Sequence, residues 1–126
     1  MTYEYDRENI FAKIIRGEIP NDTVLETEHC LAFRDITPQA PVHILVIPKG
    51  NYVNFDHFGA AASDAEIVDF SRTIAKITKD VAVDPASGGN GYRLIANSGR
   101  DPVQEVAHMH VHILAGRPLG RMLQKT

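Results

Sequence analysis

The sequence has little cysteine, little net charge and no long apolar segment, and each shortage excludes a class of protein. One cysteine, Cys30, permits no intramolecular disulfide. No apolar run approaches the roughly 18 residues that a membrane-spanning helix needs. The polar, acidic N-terminus is also unlike a signal peptide. We therefore expect a cytoplasmic protein with no membrane partner.

The small net charge argues against a nucleic-acid partner. Lysine and arginine number 13 against 16 acidic residues, so the formal net charge is −3. Tight nonspecific binding to nucleic acid or to a membrane surface needs a basic excess. At 126 residues the chain is long enough for one domain with its own core. Without repeats or a break in composition, we expect a leader over residues 1–8 and a single domain over residues 9–126.

The apolar spacing predicts two helices and five strands. Asn9 can cap a short helix over residues 10–16, and Ser63 with Glu66 forms a capping box that opens a long helix over residues 64–81. Strands are predicted over residues 23–26, 30–34, 42–47, 92–96 and 108–115. Residues 51–62 are predicted as loop with about one helical turn. Because hairpin-type connections dominate, the fold class is α+β: a mainly antiparallel five-stranded sheet with one short and one long helix.

The stretch His108-Met109-His110-Val111-His112-Ile113-Leu114-Ala115 alternates strictly between two sets of side chains. Successive side chains of a strand point to opposite faces, so the three histidines share one face with Leu114. The intervening residues form a continuous apolar row that a core would take. A helix would spread the three imidazoles around its axis. The alternation therefore predicts a half-buried strand that carries a cluster of imidazoles.

Three interpretations of this cluster are open from the residues alone. The histidines could be exposed structural residues on the wet face of the strand. They could bind a metal ion, although three alternate residues of one strand rarely converge on one ion. They could act on phosphate, with one ring attacking phosphorus while its neighbours stabilise the charged oxygens. Three histidines in strict alternation, out of six in the chain, favour the last interpretation.

Six residues elsewhere each have a structural and a functional interpretation. His43 is the polar exception in an apolar strand and is either a satisfied core histidine or a neighbour of the cluster. Asp35 directly follows a strand, and it either caps the turn or accepts hydrogen bonds from a ribose diol. The short helix has an apolar face that either packs in the core or forms one wall of an apolar pocket: Ile10, Phe11, Ile14 and Ile15.

These residues resemble the histidine-triad (HIT) family. The family pattern His-φ-His-φ-His-φ-φ, where φ is apolar, is met by residues 108–114. The likeness continues, in the family's order, through residues 9–20, 32–43, 45–49 and 116–120, and it covers about residues 8–123. The ordered set of blocks is similar to the nucleoside phosphoramidase branch, also called the Hint or protein kinase C interacting protein-like branch.

The resemblance implies an activity and partners. It implies a HIT-like fold and a homodimer in which the two sheets join into one. Each protomer would bind a purine nucleotide or a nucleoside phosphoramidate. The enzyme would hydrolyse the bond between a nucleoside monophosphate and an amine through a nucleotidyl-histidine. From the residues themselves we expect no metal, because no cysteine-rich or histidine–carboxylate ligand spacing accompanies the three histidines, and we expect no cofactor.

The resemblance also assigns roles by position. His110 would be the nucleophile, and His112 and His43 would contact the phosphate oxygens. The backbone carbonyl of His108 would hold the other ring nitrogen of His110, and Asp35 would bind the ribose hydroxyls. The base pocket would be lined by Ile10, Phe11, Ile14, Phe33 and Leu45. The phosphate site would be completed by Asn97, Val103 and Gln104.

The sequence departs from animal members of the family at two points. Pro102-Val103 replaces a Gly-Gly pair, and Pro102 has no amide proton to offer a phosphate. Glu105 stands where animal members have a serine that can protonate the leaving group, so it is either a possible leaving-group contact or an exposed charge. Two rival functions stay open: a dinucleoside polyphosphate hydrolase, and a nucleotide-binding interaction module with little turnover.

Overall fold

A five-stranded sheet organises the protein in the computed structural model, which describes residues 3–125. The strands are β1 (Thr23–Glu26), β2 (Cys30–Arg34), β3 (Val42–Pro48), β4 (Tyr92–Ile95) and β5 (Val111–Ala115). Their order across the sheet is β1-β2-β3-β5-β4, and every neighbouring pair is antiparallel. The predicted α+β class is confirmed, and the apolar strand β3 is central.

Three α-helices accompany the sheet: α1 (Ile10–Ile15), α2 (Phe55–Ala61) and α3 (Asp64–Asp80). A single 3₁₀ turn, Pro85–Ser87, follows them. Helix α2 is an addition to the predicted pair, in a segment predicted as loop with one turn. Asn54 begins α2 by accepting a hydrogen bond from the His57 backbone N–H. Seven residues hold too few apolar positions for the helical period to stand out.

The long helix α3 begins as the sequence predicted. The Ser63 hydroxyl accepts from the Glu66 backbone N–H, and the Glu66 carboxylate accepts from the Ser63 backbone N–H. Phe70 and Ile77 are buried on the face of α3 that packs on the sheet. Within residues 3–125 no helix has the length and apolar content to cross a bilayer.

The two faces of the sheet carry separate cores. Ile44 and Val46 of β3 belong to the core that includes α3 residues, whereas Leu45 and Ile47 belong to the core that includes Phe11 of α1. The α3 core also takes the predicted apolar row: Met109, Val111 and Ile113. The imidazole face of β5 therefore looks toward α1.

The strand predicted over residues 108–115 begins three residues late, at Val111. The β3–β5 ladder ends where Val46 lies opposite Val111. The preceding segment leaves the sheet, and the Met109 backbone N–H donates to the Tyr52 carbonyl at 2.8 Å. His108 and His110 thus precede the strand, and pleated alternation does not govern the direction of the His108 ring.

Candidate active site

Strand pairing brings three polar side chains together. Asp35 follows the last residue of β2, and its backbone N–H donates to the His43 carbonyl at 3.0 Å. His43 lies opposite Leu114 of β5, so its ring reaches diagonally to His112. The His43 Nε2 atom lies 2.9 Å from His112 Nδ1 and 3.4 Å from Asp35 Oδ2. The three side chains form a row from the end of β2 through β3 to β5, in which His43 and His112 are hydrogen-bonded and Asp35 lies beside His43.

A backbone group decides which nitrogen of His112 carries a proton. The backbone N–H of Gln39 donates to His43 Nδ1 at 3.0 Å, so neutral His43 is protonated at Nε2. The proton at His43 Nε2 is donated to His112 Nδ1. Neutral His112 therefore carries its proton at Nε2, and this N–H has no partner among the described residues. It is a free hydrogen-bond donor beside the cavity.

His110 has the opposite arrangement. Its Nδ1–H donates to the backbone carbonyl of His108 at 2.7 Å, so Nε2 keeps a lone pair. The His110 ring is buried, packs edge-on against Phe11 and lies 5.1 Å from the His112 ring between centroids. A lone pair and an N–H donor stand side by side, which is the pairing that a nucleophile and an oxyanion donor require.

His108 faces away from the cavity. Its ring is fully buried, its Nε2–H donates to the Pro48 carbonyl at 2.8 Å, and its Nδ1 accepts from the Tyr5 hydroxyl. Both ring nitrogens are therefore used in holding the ring in place. The carbonyl of His108, and not its imidazole, contacts the His110 ring.

Burial favours the neutral form of all four imidazoles. It lowers the pKa of His108 and of His112 to about 4, and for His112 the neighbouring His110 and His43 add to the effect. Burial also lowers the pKa of His43 and of His110 below the ordinary value. At neutral pH the His110 lone pair is therefore available for attack.

A cavity of about 690 Å³ opens on the α1 side of the sheet and reaches His110 and His112. This volume suits a small-molecule ligand. All the residues predicted for the base pocket line it: Ile10, Phe11, Ile14, Phe33 and Leu45. So do five other predicted site residues: Asp35, His43, Asn97, Val103 and Glu105. His108 and Gln104 are the predicted residues that do not line it.

Gln104 braces the loop beside the cavity. Its Nε2 donates to the carbonyls of Val53 at 2.7 Å and Val106 at 2.9 Å. Its Oε1 accepts from the Gly99 backbone N–H at 3.1 Å. These bonds use the side-chain amide inside the loop, so the structure gives Gln104 a supporting position, and its contact with phosphate stays a prediction.

Comparison with known proteins identifies the family to which the chain belongs. The family model described as HIT domain matches residues 16–119. The chain belongs to the HIT family. It is 52% identical over 126 residues to a HIT-like protein of Azospirillum brasilense, with 99% of each chain covered.

Two further relatives cover nearly the whole HIT domain. Over 116 residues the chain is 46% identical to the purine nucleoside phosphoramidase of Escherichia coli K12, which covers 92% of this chain and 93% of that protein. A solved histidine triad protein from Clostridium difficile superposes with a TM-score of 0.79 at 40% identity. That match covers 94% of this chain and 98% of the other. The protein is thus a HIT-family hydrolase.

The HIT domain also has a group of side chains that a metal ion could use. The ligand atoms of Asp35, His43 and His112 all lie within 4.8 Å of one another. The His43–His112 hydrogen bond already occupies two of these atoms, so an ion would have to displace it. Hydrogen bonding thus accounts for this cluster, and independence of metal stays a prediction.

Several residues of the HIT site were not predicted. Leu114 lines the cavity and shares the parity of His110 and His112, so alternation alone could have found it. Ile95 lines it because β4 places this residue opposite His112. Tyr5 contacts His108 from 103 positions away in the chain. No local pattern signals the last two contacts, because both depend on tertiary pairing.

Proposed function

We propose that this HIT-family hydrolase cleaves purine nucleoside phosphoramidates through a nucleotidyl-histidine intermediate. One observation carries the proposal: the free lone pair of His110 Nε2 lies beside the free N–H of His112 at the wall of the cavity. The name of the Escherichia coli relative, purine nucleoside phosphoramidase, supports the choice of substrate.

In the first step His110 Nε2 attacks phosphorus. A nitrogen–phosphorus bond to the ring forms, the bond from phosphorus to the substrate amine breaks, and the departing nitrogen takes a proton from Glu105 acting as general acid or from a water molecule. The ring becomes positively charged, and its Nδ1–H stays bonded to the His108 carbonyl. His112 Nε2–H donates to a phosphoryl oxygen, and His43 orients His112.

In the second step water attacks phosphorus. The bond between phosphorus and His110 breaks, the attacking water gives one proton to solvent, the nucleoside monophosphate leaves, and the ring returns to its neutral form. Dividing the reaction in this way lets the amine leave before water must enter. The same His112 donor stabilises both transition states, so its loss should slow both steps.

The remaining cavity residues fit a purine nucleoside. Phe11 and Phe33 pack edge to face with centroids 5.6 Å apart and form part of an apolar wall. Asp35 Oδ1 accepts from the Thr37 backbone N–H at 2.8 Å and so caps the turn, while the same carboxylate borders the cavity. Both interpretations of Asp35 are compatible, and we assign it to the ribose hydroxyls.

We further propose a cytoplasmic homodimer that joins through β4. Strand β4 is an outer strand of the sheet, and it exposes Tyr92 and Leu94. The other outer strand, β1, carries an irregularity between Thr23 and Leu25, which disfavours edge-to-edge pairing. A free, regular edge with apolar side chains suits pairing with a second copy.

Substrate comparison tests the proposed activity. The purified protein is incubated with adenosine 5′-phosphoramidate and, separately, with a diadenosine polyphosphate, each with and without a chelator. We expect faster turnover of the phosphoramidate and no loss with the chelator. Preference for the diadenosine compound would support the rival hydrolase. Absence of turnover on both would support a binding module, and activity restored only by zinc would support a metalloenzyme.

A further inference from the structure

Two tyrosines of the segment before α1 bond to distant parts of the chain, although the segment precedes the residues that the family model matches. The Tyr3 hydroxyl donates to the Asp56 carboxylate and accepts from Asn54 Nδ2. Two residues later, the Tyr5 hydroxyl bonds to His108 Nδ1. The first attachment is to the region of α2, and the second is to the segment that carries the nucleophile.

The direction of the Tyr5 hydrogen bond follows from the other side of the His108 ring. His108 Nε2 lies 2.8 Å from the Pro48 carbonyl, which can only accept, so Nε2 carries the proton. Nδ1 therefore accepts, and the Tyr5 hydroxyl donates. The two rings also meet edge-on, with centroids 5.6 Å apart. Tyr5 thus supplies the partner that the buried Nδ1 requires.

The held ring belongs to a segment without strand pairing. Residues 108–110 precede the β3–β5 ladder and do not pair with β3. Within this segment the Met109 backbone N–H donates to the Tyr52 carbonyl. The His108 ring is the other attachment of this segment. Its carbonyl accepts from His110 Nδ1 at 2.7 Å, the bond that leaves Nε2 free to attack.

We propose that Tyr5 is a positioning residue for the nucleophile. By donating to His108 Nδ1 it holds the His108 ring, and through it the carbonyl that orients His110 and selects its tautomer. The proposal rests on the proposed function insofar as it concerns turnover. Tyr5 lines no part of the cavity and touches none of the reacting atoms, so we assign its effect on the nucleophile to its bond with His108.

Tyr5→Phe and Tyr3→Phe form a matched pair of variants. Each removes one hydroxyl from the same segment and keeps the ring, but only Tyr5→Phe leaves His108 Nδ1 without a donor. We expect Tyr5→Phe to lower kcat on adenosine 5′-phosphoramidate roughly fivefold to tenfold, the effect of losing one neutral hydrogen bond. KM should stay within about twofold, because the cavity wall is unchanged. Tyr3→Phe should keep the wild-type kcat.

Nuclear magnetic resonance of the free protein tests the bond network without substrate. In the wild type and in Tyr3→Phe, the His110 Nδ1–H proton should be protected from exchange with water. In Tyr5→Phe it should exchange faster, and the His110 ¹⁵N shifts should indicate mixed tautomers. A His110 signal identical in both variants overturns the proposal, as does an equal kcat. If the wild type does not turn over the phosphoramidate, the proposed function fails while this measurement still judges the role of Tyr5.

A second measurement keeps the hydroxyl in place, should Tyr5→Phe fold poorly. Site-specific incorporation of 3-fluorotyrosine at position 5 makes the Tyr5 phenol a stronger donor without changing its size appreciably. We expect the ¹⁵N resonances of His108 Nδ1 and His110 Nδ1 to move together. An unmoved His110 resonance contradicts the coupling from Tyr5 to the nucleophile.

Discussion

Each imidazole of the site carries its proton where a backbone group requires it. The Gln39 N–H selects the tautomer of His43 and, through it, that of His112, while the His108 carbonyl selects that of His110. Side-chain chemistry alone would leave each neutral ring with two tautomers of similar energy. Backbone groups cannot titrate, so the division into one nucleophile and one donor holds across the pH range in which the rings stay neutral.

The role of Glu105 decides whether a side chain of the protein protonates the leaving amine. Glu105 is exposed, it borders the cavity, and its negative charge raises the pKa of His110 against the larger effect of burial. General acid catalysis is typically worth about 10²–10⁴-fold. We expect Glu105→Gln to slow poor amine leaving groups at least about tenfold and to leave activated ones unchanged, because those depart without a proton.

Paired kinetics with a poor and an activated leaving group check this prediction. Glu28→Gln, which removes an exposed carboxylate from the β1–β2 turn, is the control and should affect neither substrate. If Glu105→Gln has the same small effect on both substrates, Glu105 is an exposed charge. The leaving-group proton would then come from His112 or from water.

The loop over residues 97–106 is the element that gives the cavity its second wall. Val103 adopts a φ of 62°, a left-handed conformation that a β-branched residue takes only when its surroundings impose it. The side-chain amide of Gln104, the next residue, holds the backbone of the loop in this conformation through its three hydrogen bonds. The loop therefore carries a strained residue at the cavity and a brace directly after it.

Replacing the brace should open this loop. Gln104→Glu replaces an amide that donates to two carbonyls with a carboxylate, so both hydrogen bonds are lost. The carboxylate oxygens also repel the carbonyl oxygens of Val53 and Val106. We expect a loss of roughly 2–3 kcal/mol in the free energy of unfolding and a higher KM. Urea unfolding and steady-state kinetics measure the two effects. Gln124→Glu, which makes the same change in the exposed tail, should alter neither, and a wild-type KM in Gln104→Glu would contradict the bracing role.

The local spacing of apolar residues was sufficient to predict most helices and strands, and it placed His110 and His112 on the same face. Period-two alternation predicted the apolar row at Val111 and Ile113 and placed His112 on the opposite face, because this stretch is regular strand. The same alternation was wrong for the His108 ring, since the chain leaves the sheet before Val111. The roles of Tyr5 and Gln104 depend on contacts with residues about fifty or more positions away, which no spacing reveals.

At the scale of the whole molecule, buried histidines make stability depend on pH. The His108 pKa is about 4 in the folded protein against an ordinary value of 6.5, so the unfolded chain binds its proton first as pH falls. The contribution of neutral His108 to the free energy of unfolding is complete above pH 6.5, and it is lost progressively as pH falls toward 4. For the fully buried His108 alone the loss is about 3 kcal/mol.

Urea unfolding at several pH values checks this expectation. The midpoint should fall steadily between pH 6.5 and 4, the window set by the ordinary and folded pKa values. His29→Gln, at a partly exposed turn position, serves as the control and should keep the same pH dependence. A midpoint that stays level or rises on acidification would show that the buried imidazoles are not held neutral.

The proposed dimer gives a prediction about association. Leu94 is 46% exposed on β4, so Leu94→Glu places a charge in the proposed interface and should give a monomer. Phe55→Glu, at an exposed aromatic of α2, should leave the dimer intact. Light scattering at micromolar concentration separates the two states. A monomeric wild type would contradict the proposed assembly.

Covalent capture tests the nucleotidyl-histidine most directly. The protein is mixed with adenosine 5′-phosphoramidate, quenched in base to preserve the nitrogen–phosphorus bond, and examined by intact mass and peptide mapping. We predict one nucleotidyl group per chain, on His110, in the wild type. His110→Ala should show no adduct and no turnover while still binding the nucleoside monophosphate. Near-normal turnover in His110→Ala, or an adduct on another residue, would contradict the assignment of the nucleophile.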